Sequence, residues 1–357
     1  MKKTKERNYS IDFLRFVFSA LIVYYHILHT NIISYTAGQK LYTALQSASS
    51  KAVQIVECFL IIGGYFLYRS VKATENRPFR SFFSDRFFRL WPVFALYVVI
   101  SFFFLGLSLE DAIYELSFLH CTGISLAYKG IIWYIAPFFV GSIFIAALIR
   151  NMKKRPAAIL LAVIAFLGYS LNLNYSGGGL GREVAYSFIS LGLIRVISGL
   201  CIGVLISMYA ESVPVREKQG LPASLCWSAV EVLTSAGLIN LFVFNKGLFR
   251  NSFTAVILFS VLFYSFIGTR GYLSRFLNRP AFGFAGKYSY SIYVMQQISF
   301  WLLGMTFWKN TDFLYRHTLI SIAISVLLSI TLGIAVYYLV EKPCWALYKK
   351  RRDDRDK

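Results

Sequence analysis

Residues 318–340 read TLISIAISVLLSITLGIAVYYLV, 23 residues without a charged side chain. A helix of that length rises about 35 Å, enough to cross the roughly 30 Å hydrocarbon core of a bilayer. Working outward, comparable apolar runs recur back to residue 11. They predict spans near 11–30, 52–70, 90–108, 131–149, 157–174, 187–208, 225–244, 252–268, 288–306 and 318–340. Lipid offers the backbone no hydrogen-bond partner, so each run must satisfy its own N–H and C=O groups, which a helix does and an isolated strand does not. The alternation of a membrane barrel is absent. The fold class read from the chain is all-α: a polytopic membrane helix bundle of about ten transmembrane helices.

Composition agrees. Apolar residues make up 57% and charged residues 15%, against about 45–50% and 25% in soluble domains. No polar stretch is long enough for a separate soluble domain, so residues 1–345 read as one membrane domain and 346–357 as a basic cytoplasmic tail. Aromatics reach 18%, and Trp91, Trp133 and Trp308 fall near the ends of apolar runs, where amphipathic rings favour the headgroup region. The first run follows a basic start. At about 20 residues, and lacking a small-residue cleavage site, it reads as a retained helix and not a signal peptide.

Charge sets the expected orientation. With the N-terminus in the cytoplasm, 27 of the 37 basic residues fall on the inner side, 8 outside and 2 within spans. This is the positive-inside pattern, and an even number of spans then puts both termini in the cytoplasm. The formal charge of +20 follows from topology and attraction to anionic membrane lipids, so no nucleic-acid partner is expected. The five cysteines, Cys58, Cys121, Cys201, Cys226 and Cys344, include no CxxC spacing and suggest no pairing. They read as packing residues, and no metal is expected.

Ionisable groups inside spans are costly and therefore informative. Arg15 and His26 are eleven residues apart, about 20° beyond three turns, so they share one helix face with a rise of roughly 16 Å between them. Arg15 sits at the inner end and His26 about 6 Å from the outer one. Glu57 enters the second span from outside and lies about 8 Å deep. At matched depth, His26 and Glu57 read either as a general base oriented by a carboxylate or as a structural ion pair. Arg86 and Arg89, in RFFRLWP, are neighbours on one helix side, with Pro92 expected in a first helical turn. Two guanidiniums suit a phosphate-bearing ligand; equally, they mark the cytoplasmic boundary. Ser176 to Gly181, SGGGLG, lacks the Lys-Ser/Thr of a phosphate loop and reads as a flexible outer loop. Arg195 faces either lipid headgroups or the bundle interior. His120 and His317 fall in outer loops.

These motifs resemble those of the integral-membrane acyltransferase-3 family, bacterial enzymes that acylate sugars of O-antigens, capsules and exopolysaccharides. Arg15 and His26 reproduce an Arg-x10-His spacing within IDFLRFVFSALIVYYH. VECFLIIGGYF at 56–66 is similar to the second-helix signature, with Glu57 at its acidic position. RFFRLWP resembles the Arg-x-x-Arg segment, IIWYI the tryptophan motif opening the fourth helix, GKYSYSIYVMQQ at 286–297 the Ser-Tyr-Ser-x-Tyr stretch, and VEKPCW at 340–345 the terminal Glu-x-Pro. Departures are Gly63-Gly64 where Ser-Gly is usual, Gln296 where a histidine is usual, and Ala136-Pro137-Phe138 where many members carry Glu-Glu-Gln.

The resemblance implies an O-acyltransferase, foremost an O-acetyltransferase, of the bacterial inner membrane. It would take the acyl group from cytoplasmic acyl-coenzyme A, with acetyl-CoA as donor substrate, and deliver it to a hydroxyl of a cell-surface polysaccharide or lipid-linked sugar. His26, oriented by Glu57, would remove the hydroxyl proton. Arg86 and Arg89 would hold the donor phosphates, Arg15 would lie along the path, and Ser289 and Tyr290 would help bind the donor. A rival reading is a transporter or flippase of a lipid-linked saccharide, whose mark would be inverted repeats, and none is seen. A third is a scaffold that has lost catalysis, suggested by Gln296.

Overall fold

The computed structural model describes residues 7–29, 40–124, 131–182, 184–185, 189–213, 220–245, 251–284, 286–306 and 317–355. Its helices, in chain order, are α1 (Tyr9–His29), α2 (Lys40–Ala48), α3 (Ile55–Ala73), α4 (Phe79–Phe104), α5 (Leu109–Leu116), α6 (Ile135–Asn151), α7 (Lys154–Tyr175), α8 (Leu191–Ser212), α9 (Leu221–Ile239), α10 (Phe253–Ile267), α11 (Tyr272–Leu277), α12 (Ser289–Thr306), α13 (Thr318–Val336) and α14 (Lys342–Arg355). Between α7 and α8, Val184–Ala185 pairs antiparallel with Ile189–Ser190.

A helix stands at each of the ten apolar runs, so the all-α membrane bundle is the fold. Among the described residues, seven helical stretches are long and apolar enough to cross a membrane, not ten. Ile135–Asn151 and Phe253–Ile267 are shorter apolar helices. The third run also starts earlier than the apolar pattern suggests. α4 continues through Arg86 and Arg89 down to Phe79, so Pro92 lies inside the helix and not in its first turn. Lacking an N–H, it leaves the Phe88 carbonyl without its usual helical donor.

Close helix crossings form the interior. α3 and α8 meet at glycines: a methyl group on Gly64 would run into the Leu200 carbonyl, and one on Gly203 into the Ile61 carbonyl. Bare backbone at both positions lets the axes approach, which suits packing that has no hydrophobic drive from lipid. α12 and α13 use the same device, where a methyl on Gly333 would lie 2.5 Å from Ile292 Cγ1, and they add a Ser299–Ser329 hydroxyl pair at 2.5 Å. Large apolar side chains such as Phe166, Leu233, Leu319 and Leu327 remain exposed on the outer surface of the bundle. In water such a surface would aggregate; in a bilayer it meets lipid.

The tryptophans differ from the expected headgroup belt. Trp133 is buried, Trp91 is half-buried with Nε1 donating to Leu116 O at 3.1 Å, and Trp308 lies outside the described residues. Among the described residues none of the five cysteines is joined in a disulfide; Cys58, Cys121 and Cys201 are buried.

Buried carboxylates are mostly satisfied. Glu231 accepts from Gly271 N at 3.1 Å, Ser274 N at 3.0 Å and Ser265 Oγ at 2.6 Å, holding the start of α11. Glu115 in α5 is the contrast: it is 1% exposed, yet neither carboxylate oxygen has a partner among the described residues. Burial, reinforced by Asp111, pushes its carboxyl up to about 8.

Candidate active site

α1 and α12 run parallel at a constant offset. Ser19 Oγ donates to Ser289 O at 3.3 Å, and His26 Nδ1 meets Gln296 Oε1 at 2.9 Å. Both pairs are 270 residues apart in sequence, which keeps two turns of the helices in register. Gln296 is fully buried, and its amide Nε2 donates to Tyr293 O at 2.9 Å. That bond turns Oε1 toward the imidazole. Because a carbonyl oxygen only accepts, His26 Nδ1 carries the hydrogen and Nε2 keeps its lone pair. The glutamine that departs from the family pattern therefore sets the tautomer of the imidazole.

Glu57 does not orient His26. Matched depth brought them to the same level but not to the same partner. Glu57 Oε1 accepts from Arg195 Nε at 2.5 Å, and its Oε2 accepts from the Tyr169 hydroxyl. Both charged side chains are essentially without solvent exposure. Arg195 therefore faces the bundle interior. Its Nη1 donates to Leu180 O at 2.7 Å, and its guanidinium lies 5.4 Å from the Trp133 ring centroid. α8 supplies a counter-ion at this level of α3, and the expected His–Glu pair yields to a Glu–Arg–Tyr cluster. Tyr169 carried no signal in the sequence, being one apolar-run aromatic among many.

A second group gathers toward the N-terminal ends of α1, α4 and α12. Arg15 Nη1 lies 3.8 Å from Asp12 Oδ1 and is within electrostatic range of Arg89, Glu341 and Tyr134. Arg86, a neighbour of Arg89, donates from Nη2 to Ser142 Oγ at 2.9 Å and sits 4.9 Å over the Phe138 ring. Its buried Nε has no partner among the described residues, which fits a cradle for an anion. Tyr290 donates to Leu90 O at 2.6 Å and Ser289 to Gly286 O at 3.0 Å, so both hydroxyls are engaged with backbone. Glu341, absent from the sequence-based site, stands in a π-helical turn, Tyr337–Glu341, where it accepts from Ser291 Oγ at 2.5 Å. Such turns break helical regularity and often accompany functional sites.

Between the two groups, the Tyr134 ring lies against that of Tyr293, centroids 4.7 Å apart and planes tilted by 45°, and the Tyr293 hydroxyl donates to Ile131 O at 2.5 Å. Arginines gathered at one level and an oriented imidazole at another, enclosed by helices with apolar exteriors, define a multi-pass membrane protein with polar and charged groups inside the bundle. A family model described as an acyltransferase domain matches residues 8–338. The chain belongs to the acyltransferase-3 family and is a membrane acyltransferase. None of the curated proteins matches the chain, and none of the solved structures does.

Proposed function

We propose that this acyltransferase moves an acyl group, acetyl in the first instance, from acyl-coenzyme A on the cytoplasmic side of a bacterial inner membrane to a hydroxyl of a cell-surface polysaccharide or lipid-linked sugar. The observation that carries the reading is the His26–Gln296 bond, which presents an unprotonated Nε2 inside the bundle. The acceptor O–H bond breaks as its proton passes to Nε2, and a C–O bond forms at the thioester carbon. The tetrahedral oxyanion then collapses, the C–S bond breaks, and the thiolate takes the proton back from the imidazolium. General base catalysis of this kind contributes about 10²- to 10⁴-fold.

Arg86 and Arg89 hold the donor phosphates, with Arg15 between that site and His26. Ser289 and Tyr290 contribute to the donor site as part of its wall, through backbone and ring surface. Glu57 acts through Arg195.

The test compares base-labile acyl esters on envelope polysaccharide in cells carrying wild type, His26→Ala or no copy of the gene. Esters should vanish in the last two while polymer is still made and exported. Retained esters in the His26→Ala strain would remove the general-base assignment. Loss of the polymer itself would favour export of a lipid-linked saccharide.

A further inference from the structure

Where α10 meets α8 and α9, two arginines stand that neither the sequence motifs nor the acyl-transfer site uses. α10 closes at Ile267, and residues 268–271 turn the chain into α11. The turn lies at the same end of the bundle as the N-terminal residues, since Asn8 Nδ2 donates to Phe266 O at 3.0 Å. Glu231 on α9 holds it through Gly271 N, Ser274 N and Ser265 Oγ, and a methyl on Gly271 would run into that carboxylate. Three residues earlier on α9, Ser228 Oγ accepts from Tyr272 N at 2.9 Å. Thr269 is thereby left in the left-handed region, φ 45°, an outlier for a β-branched residue. Arg275 braces the strained peptide, donating from Nε to Thr269 O at 3.1 Å and from Nη2 to Arg270 O at 3.0 Å. Strain that the surroundings over-determine gathers at ligand sites.

So held, Arg270 turns inward onto rings. It is 8% exposed, with its guanidinium carbon 4.3 Å from the Tyr264 ring centroid and 5.3 Å from that of Trp227. Nη2 donates to the Tyr264 hydroxyl at 2.9 Å, and Nε is buried without a partner among the described residues. Arg275 brings a second guanidinium beside it, with Nη2 also donating to Ser224 Oγ at 3.0 Å. On both arginines Nη1 donates to no protein group among the described residues. The described residues from α8 through α11 include two carboxylates, and both are taken. Glu231 is filled as above, and Glu211 on α8 accepts from the Tyr68 hydroxyl and from Lys154 Nζ, each at 2.7 Å. A ring face attracts a cation without cancelling its charge, and a cation withdrawn from water without an anion is costly.

The surroundings decide the kind of anion. Tyr209 of α8 and Trp227 of α9 meet Tyr264 with ring centroids 5.5 Å and 5.9 Å away, and amphipathic rings of this kind settle at headgroup level in a membrane. Further along the same helices, away from this end, α9 exposes Val232 and Leu233 and α10 exposes Ile257 and Val261, an apolar wall for acyl chains. We propose that this is a binding site for the phosphate of an anionic phospholipid, with Arg270 as its buried counter-ion, Arg275 as a second donor and the α9–α10 surface receiving the chains. Basic pockets between helices at a membrane face take such headgroups, and guanidinium N–H groups match phosphate oxygens closely. The site is independent of the general-base reading of His26 and of the donor role of Arg86 and Arg89, because α9, α10 and α11 supply none of those side chains.

The experiment uses the full chain purified in detergent, with phosphatidylglycerol as probe, phosphatidylcholine as zwitterionic control and inorganic phosphate as free anion. Native mass spectrometry reads retained lipid, and titration gives Kd. Wild type should bind phosphatidylglycerol about tenfold or more tighter than phosphatidylcholine. Arg270→Gln should weaken phosphatidylglycerol binding about 10- to 100-fold, the worth of one hydrogen bond to a charged group, and leave phosphatidylcholine binding unchanged. Arg270→Lys should fall between the two, keeping the charge without the fork. Arg275→Gln, at an exposed position, should weaken binding several-fold and decides the matter where Arg270→Gln does not fold. Equal affinity of wild type for the two lipids overturns the proposal, as does phosphatidylglycerol binding unchanged in the Gln variants. Displacement of phosphatidylglycerol by an equal concentration of inorganic phosphate also overturns it, since the arginines would then hold a free anion.

Discussion

Removing Arg195 should damage this protein more than removing any exposed arginine, and the structure gives the scale. Its Nε lies 2.5 Å from Glu57 Oε1, and the two side chains are 2% and 0% exposed. Arg195→Met leaves Glu57 buried with Tyr169 as its remaining donor, and it frees Leu180 O. Breaking a buried pair from one side costs about 3–5 kcal/mol, a fall of roughly 5–15 °C in the unfolding midpoint. Glu57→Gln leaves the guanidinium unmatched and should cost about as much. The double variant carries no charge at either position. Its penalty should be well below the sum of the two, since what remains is a few unpaired neutral groups at about 1–3 kcal/mol each. The chain supplies its own reporter. Cys58 and Cys201 are buried on α3 and α8 and Cys121 is buried beyond α5, whereas Cys226 is exposed. With Cys226 and the partly exposed Cys344 changed to Ser, a thiol-reactive dye should read the exposure of the three buried thiols as the protein is heated in detergent. A midpoint for Arg195→Met within about 1 °C of wild type, or strict additivity in the double variant, would refute the claim that this pair is a structural unit.

Arg86→Ala or Arg89→Ala should raise KM for acetyl-CoA with little change in kcat, and Lys should substitute poorly because it lacks the fork; unchanged steady-state kinetics in both would return these residues to topology markers. Glu115 makes stability depend on pH. Its carboxyl titrates at about 8 in the fold against 4.5 ordinarily, so between those values the folded protein binds more protons than the unfolded chain and stability falls as pH rises. The unfolding midpoint of Glu115→Gln should lack that decline between pH 5 and about 8; the same slope in both proteins would show that the group does not hold its proton. Both termini should be cytoplasmic and the segment after α5 external. Cys121 is too buried to label, so Ile124→Cys, at a position 67% exposed, is the probe, and labelling only from the cytoplasmic side would reverse the orientation.

Much of the fold was legible because the bilayer imposes one rule on every span: about 20 apolar residues that satisfy their own backbone. Helix ends were less so. The apolar pattern stops at Leu90, but α4 runs on to Phe79 because a helix emerging from lipid tolerates Arg86 and Arg89 on its turns. The site divided in the same way. Properties that depend on one helix, such as the shared face of Arg15 and His26, could be read by counting residues. Partners across helices could not: depth alone placed Glu57 level with His26, but Arg195 on α8 and Tyr169 on α7 decided where its oxygens point.

The departures from the family pattern are better understood in space than in sequence. Gly63 and Phe138 occupy different motifs, but a methyl at 63 would lie 2.5 Å from Phe138 Cε2. With this ring in place, a serine at 63 does not fit. Phe138 in turn carries the Arg86 guanidinium on its face at 4.9 Å, while Phe138 O accepts from Ser142 Oγ, the same hydroxyl that receives Arg86 Nη2. In the run where Glu-Glu-Gln is usual, Phe138 thus sets beside Arg86 a ring that a cation favours. Gln296 follows the same logic at the other level. A second histidine there could hold the His26 ring but could also exchange protons with it, whereas an amide anchored to Tyr293 O only accepts. Gly63 accommodates Phe138, Phe138 supports Arg86, and Gln296 sets the His26 tautomer. Each substitution is compensated by a neighbour, which argues for a site retuned for use and against one in decay.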